Sequence, residues 1–443
     1  MKRIYTILTA VFLLFLLLVG LISTFDKDPT FSESEKRMLK TRPKLTFSGL
    51  LDGSYVNAYR EYYADTFPGR EGMMGKNATL NRFYYFSGLN SKDDASLVIN
   101  FDSNAAQHGQ ALKDPDATEP SASEATNPEE DIPKITEPAA EVEQLGSIIF
   151  VGDRAMDVPY GDSKKIKRYA SAVNTLSELL GPDVETISMP VPNAAEFYAG
   201  SEWNTGPYSQ KQMFETLKEN LNSNITFVDS YSKLAKHTDE YIYFRTDHHW
   251  THLGAYYAYT ALCGAVGFTP EPQSKFDTGK WENFVGSMYT YLAGYAQSQI
   301  LKNNPDTVHY WKPHANCETY FYNTTALTGG TLMGTICVVR EEVENKYLTF
   351  MGGDHPVTVV TTDTEGPCIM VIKESYGNAL ISWLTSHYSK IILIDPREYF
   401  AKNGDIDLKA FAESQGVDQL LVINYPMMLN SDNYIGLLER LAK

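Results

Sequence analysis

From Gly146 to the C-terminus, short apolar runs alternate with longer amphipathic stretches, and this alternation restricts the chain to few folds. Runs that are apolar throughout suit strands buried on both faces, so the pattern predicts an α/β domain with a largely parallel sheet. The strands expected are Ser147 to Val151, Glu185 to Met189, Tyr241 to Arg245, Cys368 to Ile372, Lys390 to Ile394 and Gln419 to Ile423. Helices are expected over Ser163 to Leu180, Ser209 to Leu221, His252 to Val266, Asn378 to Ser386 and Tyr434 to Lys443. Between residues 267 and 367 the chain is Tyr-rich and helix-poor, which reads as an inserted antiparallel or loop-rich region.

Ahead of this domain lie three segments of different character. Ile4 to Phe25 carries no charge and is long enough to span the hydrocarbon core, so residues 1–25 read as a signal anchor or transmembrane helix. Lys2 and Arg3 precede it, and the positive-inside bias then sends everything after Asp26 out of the cytoplasm. A cleaved signal peptide is the competing reading, although no A-x-A site follows the run. Residues 26–101 form a helical lead-in, with Tyr55, Tyr59, Tyr62 and Tyr63 at helical spacing. Residues 102–145 read as a disordered acidic insert: eleven Asp or Glu stand against Lys113 and Lys134, with no aromatic residue to offset the ordering entropy.

The whole chain carries a formal charge of −17, a balance that repels phosphate backbones and argues against nucleic acid as a partner. Cys263, Cys317, Cys337 and Cys368 show no C-x-x-C spacing, and the sequence does not choose among their disulfide pairings. Three Asn-x-Thr sequons, at Asn77, Asn224 and Asn323, decide nothing without a host. An exported catalytic unit works without cytosolic ATP or NAD. That leaves hydrolysis, acyl transfer or binding at the cell surface, with no cofactor implied.

Two stretches carry residues suited to that chemistry. In Arg245-Thr246-Asp247-His248-His249-Trp250-Thr251-His252, Thr251 is placed to cap the helix beginning at His252. Read as extended chain, Asp247 and His249 share a face while His248 points away. An Asp beside a His is the orienting half of a catalytic triad, since the carboxylate fixes the imidazole tautomer. The same residues suit a metal site made of Asp247, His248 and His252, or a buried structural histidine. In the second stretch, the strand Cys368 to Ile372 runs into Lys373-Glu374-Ser375-Tyr376-Gly377-Asn378 and then a helix. Ser375 therefore stands at a strand end below a helix N-terminus, either as a nucleophile or as an ordinary cap.

The stretch Thr246-Asp247-His248-His249-Trp250, with Thr251 and Gly254, resembles the signature of the bacterial DHHW family, which is similar to the SGNH-hydrolase-like proteins of alginate O-acetylation. Asp65 to Arg70, Phe284 to Tyr289, Gly352 to Pro356 and Lys373 to Leu380 match in the same order. The resemblance implies an SGNH-hydrolase-like sheet flanked by helices over residues 146–443. It also implies Asp247 and His249 as the D-x-H pair, Ser375 as nucleophile, and a polysaccharide substrate. Glu374 stands where the family usually has Asp, and Asp354 where a GGN-like motif would have Asn.

An ionised Asp354 cannot donate to an oxyanion, so the backbone N–H groups of Ser375 and Gly353 are the oxyanion candidates. Tyr376, Trp250 and Asn378 stand as packing or substrate-wall residues, and Arg70 as an ion-pair residue. The expectation is an extracytoplasmic, membrane-anchored serine O-acyltransferase or esterase. A transferase would take its acyl group from a multi-pass membrane acyltransferase. A retired polysaccharide-binding protein and a metal-dependent deacetylase are the alternatives.

Overall fold

The computed structural model describes residues 31–32, 37–38, 41–46, 54–67, 141–336 and 343–443. The expected anchor, most of the acidic insert, Arg70 and Cys337 lie outside the described residues. None of the described helices is long and apolar enough to cross a membrane. The chain divides into two units, Met1–Ser91 and Lys92–Lys443. In the first, strands β1 (Phe31–Ser32) and β2 (Arg37–Met38) pair antiparallel. The helix Ser54–Thr66 follows, with Tyr55, Tyr59 and Tyr62 in successive ring contact along its length.

The second unit opens on three antiparallel strands, β3 (Val142–Leu145), β4 (Ile148–Val151) and β5 (Arg154–Asp157). β3 lies inside the stretch expected to be disordered. Its Val142 and Leu145 pair with Val151 and Ile148 of β4. After the helix Ser163–Leu180 come β6 (Glu185–Pro190) and β7 (Thr226–Phe227). A hairpin of β8 (Phe276–Phe284) and β9 (Asp306–Pro313) stands apart from the main sheet. Then follow β10 (Cys317–Tyr322), β11 (Thr331–Met333), β12 (Val357–Thr362), β13 (Cys368–Lys373), β14 (Lys390–Ile394) and β15 (Gln419–Asn424).

The main sheet has eight strands in the order β11-β10-β12-β14-β13-β15-β6-β7. β14, β13, β15, β6 and β7 run parallel, and β12, β10 and β11 extend the sheet antiparallel. The Tyr-rich region is therefore only partly an insertion, because its β10, β11 and β12 belong to the sheet. β13 and β15 are buried along their whole length, which their unbroken apolar runs require. The helix Ser163–Leu180 starts at an Asp162 cap, and His252–Val266 starts at Thr251 and stops at left-handed Gly267.

The strand expected at Tyr241 to Arg245 does not form: one bridge, Tyr243 to Trp250, is all that pairs there. Side chains hold much of its backbone instead. Arg154 donates to the carbonyls of Tyr243 and Phe244 at 3.2 and 2.8 Å, and buried Asp306 accepts from the N–H groups of Arg245 and Thr246 at 3.0 and 2.7 Å. The order of the central strands sets the position of the site. From β13 the chain passes to β14 on one side and later to β15 on the other, so the C-terminal end of β13 is a topological switch point, the position at which sites of parallel sheets gather.

Candidate active site

Ser375 follows β13 after the single residue Glu374 and opens a short 3-10 helix, Ser375–Leu380, that runs into the helix Ile381–Leu384. Glu374 caps that turn through Oε2, which accepts from the Tyr376 N–H at 2.9 Å, while Oε1 accepts from the Tyr425 N–H at 3.2 Å beyond β15. The Ser375 N–H is the first of the turn and has no carbonyl within the helix to bond. The hydroxyl meets His249 Nε2 at 2.8 Å, and on the far side of the ring Nδ1 meets Asp247 Oδ1 at 2.6 Å. Ser375 lies 126 residues beyond His249 in the sequence, and all three side chains are almost wholly buried.

The carboxylate of Asp247 only accepts, so His249 carries its proton on Nδ1 and Nε2 accepts from the Ser375 hydroxyl. Asp247 Oδ1 also takes the His249 N–H at 3.0 Å, and Oδ2 takes the Ser287 N–H at 2.8 Å. Burial opposes ionisation of Asp247, but His249, His248 and these hydrogen bonds prevail and hold its carboxyl far below the usual carboxylate range. Gly286 has no side chain for a reason of space: a Cβ there would lie 2.3 Å from the Asp247 Cβ. Tyr347 stacks on the His249 ring at 3.9 Å and donates its hydroxyl to the Ser375 carbonyl at 3.1 Å. One aromatic side chain thus steadies both base and nucleophile.

The extended reading of this loop places His248 wrongly. The chain bends so that Asp247 bonds the residue two ahead, and the His248 ring, instead of pointing away, lies 3.8 Å from the His249 ring with Nδ1 2.7 Å from Ser287 Oγ. Burial pushes the His248 imidazole down to about 3. The alternative metal set is not assembled. His252 turns into the core, where Nδ1 accepts from the Trp311 N–H at 3.0 Å and Nε2 lies 2.7 Å from Ser382 Oγ. The group of possible metal ligands that the described residues do bring together is Asp247, His248 and His249. Its Asp247 oxygens are already engaged by three N–H donors, which suits hydrogen bonding rather than coordination.

The remaining candidates divide. Trp250 and Tyr376 are fully buried and pack: the indole N–H donates to the Tyr376 carbonyl at 2.9 Å, and the phenol donates to the His248 carbonyl. Gly353 is not a free oxyanion donor, because its N–H already bonds the Phe350 carbonyl at 3.2 Å within a left-handed turn. That turn delivers Asp354 to Lys373 and Arg397, and the Asn378 amide donates to Asp354 at 2.9 Å. Sequence reading missed Tyr347, Asp306 and the support given by Ser287. Only Ser287, inside the Phe284 to Tyr289 match, carried any signal.

The family model described as DHHW protein matches residues 121–394, more than half of the chain. Among solved structures, a DHHW family protein from Eubacterium siraeum is 28% identical, with a TM-score of 0.59 over 68% of this chain and 98% of that one. PatB1 from Bacillus cereus is 18% identical, with a TM-score of 0.51 over 66% of this chain and 98% of that one, which is a likeness of fold. A second structure of PatB1, with a sulfonyl adduct, is 16% identical with a TM-score of 0.50 over 65% and 97%. No curated protein matches the chain.

Proposed function

The chain belongs to the DHHW family, and from that premise we propose that it is a serine O-acyltransferase or esterase acting on carbohydrate outside the cytoplasm. The observation that carries the reading is the hydrogen-bonded series Asp247, His249, Ser375 at the end of β13. His249, oriented by Asp247, takes the Ser375 proton as Oγ attacks an acyl carbonyl. The Ser375 N–H, the first of its 3-10 helix and so without a carbonyl partner inside it, is the group that would stabilise the oxyanion. Collapse expels the donor's alcohol with the proton from His249 and leaves an acyl ester on Oγ. A sugar hydroxyl or water then gives its proton to His249, attacks that ester and restores Ser375. The two reactions differ only in which acceptor reaches the ester.

A retired binding protein has no need of a carboxylate on the far nitrogen of the ring that meets its serine, so the Asp247 bond to His249 Nδ1, together with the 2.8 Å contact at Nε2, favours an enzyme. The uncharged run Ile4 to Phe25 supports a membrane-anchored, extracytoplasmic site. No acetyl-CoA is available there, so transfer would need a multi-pass membrane acyltransferase to supply acyl groups. The test is intact mass after exposure to p-nitrophenyl acetate. An adduct of about 42 Da is expected on the parent and not on Ser375→Ala. A sulfonyl fluoride should likewise label the parent and spare the variant. An unlabelled parent would sink the reading.

A further inference from the structure

At the end of β5, Asp157 stands beside the active-site loop without belonging to the series just described. The Ala155 N–H donates to the Arg245 carbonyl at 2.9 Å, which ties β5 to the loop carrying Asp247. Ala155 and Ile148, the residue paired with Asp157, pack with Met288 and Leu292 on the helix whose first N–H holds Asp247. Two residues on from Ala155, Asp157 shares that face. Its charge acts on His249, on Asp247 and on the Tyr376 phenol. The Asn193 amide grips both its carbonyl, at 2.9 Å, and Oδ1, at 3.2 Å, and Asn193 is itself fixed by Gln210. Among the described residues no hydrogen bond engages Oδ2, and Asp157 is partly exposed.

We propose that Asp157 selects the acceptor, its carboxylate accepting a hydrogen bond from the hydroxyl adjacent to the one that receives the acyl group. This rests on the acyl-transfer reading above. The accepting hydroxyl cannot itself bond Asp157, because its single proton must go to His249 Nε2 while its oxygen attacks. As that oxygen bonds the acyl carbon, the ester bond to Ser375 Oγ breaks, and the proton passes through His249 to Oγ. A vicinal hydroxyl is free to donate, and sugar rings supply one at almost every position. The class of acceptor that fits is therefore a vicinal diol.

The experiment uses the acyl-enzyme formed from p-nitrophenyl acetate and measures how it partitions between ethylene glycol and methanol. His249 is the base for both alcohols, so its contribution cancels in the ratio. Asp157→Ala should lower the glycol-to-methanol ratio about tenfold, and Asp157→Asn should restore part of it. Burial pushes the Asp157 carboxyl up to about 7. The charged groups facing it are His249 and Asp247, and Arg154 on its own strand turns to the Tyr243 and Phe244 carbonyls. The parent's ratio should therefore rise as pH passes upward through about 7, and stay flat in Asp157→Asn. Should Asp157→Ala not fold, that pH comparison decides alone. An unchanged ratio and an unchanged pH profile overturn the proposal, whereas a parent that forms no acyl-enzyme removes the reading beneath it.

Discussion

Two histidines three residues apart each meet a serine hydroxyl, and they are wired in opposite senses. His249 has a carboxylate on Nδ1, so its proton sits there and Nε2 is left to accept from Ser375. His252 has the Trp311 N–H on Nδ1, so its proton sits on Nε2 and is donated to Ser382. The first imidazole can receive a proton from its serine and the second cannot. His252 and Ser382 are also fully enclosed, with the His252 ring 4.6 Å from Trp383 and 4.8 Å from Phe350. A short His–Ser distance is thus no evidence of a nucleophile until the other ring nitrogen is accounted for.

The sharpest break between the pairs is removal of each serine. Ser375→Ala should abolish acyl-enzyme formation, a loss of about a thousandfold or more, as read by mass and by p-nitrophenol release. Ser382→Ala should leave the acylation rate within about threefold and cost about 1–2 kcal/mol of stability in urea unfolding, because a buried imidazole N–H loses its acceptor. Equal losses of activity in the two variants would erase the distinction. Asp247→Asn comes next. With an amide in place of the carboxylate the His249 tautomer is no longer fixed, and acylation should fall by about 10³ to 10⁴.

Gly286→Ala tests the same acid through space. The new Cβ must displace Asp247, so acylation should fall about 10- to 100-fold. Tyr347→Phe keeps the stacked ring and removes only the hydroxyl bond to the Ser375 carbonyl, so a loss of about threefold to tenfold is expected in the same assay.

The smallest effect concerns pH. Burial holds His252 well below the ordinary histidine value, and takes His248 down to about 3. Each is neutral in the folded protein while the unfolded chain binds a proton below about 6.5. Their contribution is whole above that pH and declines as the pH falls, by up to about 1.4 kcal/mol per unit for each group. Asp157 and Glu196, both pushed up to about 7 by burial, act in the opposite sense between about 4 and 7. The comparison of parent with His252→Gln isolates the histidine. The variant should lose less stability between pH 7 and 5 in urea titrations, and parallel losses would contradict the burial of His252 as a neutral ring.

Much of this was legible in the sequence where the signal was local. The helices Ser163–Leu180 and His252–Val266 form over the residues that their periodicity indicated, the second starting at the Thr251 cap read from the sequence, because a cap acts within three residues. β13 and β15 follow from unbroken apolar runs. The failures occurred where a distant side chain took over the backbone. Tyr241 to Arg245 has a strand-like composition, yet Arg154 and Asp306, the latter about 60 residues later, hold its polar groups. The bend that follows turned His248 toward His249 and Ser287, which alternation along an extended chain could not predict.

By itself the sequence determined the α/β class, the bounds of the helices Ser163–Leu180 and His252–Val266, and the residue types from which a serine site would be drawn. These follow from hydrophobic period and capping, which are properties of neighbours along the chain. The helix expected over Asn378 to Ser386 is instead a 3-10 turn, Ser375–Leu380, leading into Ile381–Leu384. Tertiary structure alone decided which histidine faces which serine, and with which nitrogen. It also decided that Gly353 is engaged in a turn and that Tyr347 spans base and nucleophile. The physical reason is that a hydrogen bond's direction depends on the partner present at each atom, and here the partners come from helices, strands and loops far apart in the chain that only the fold brings together.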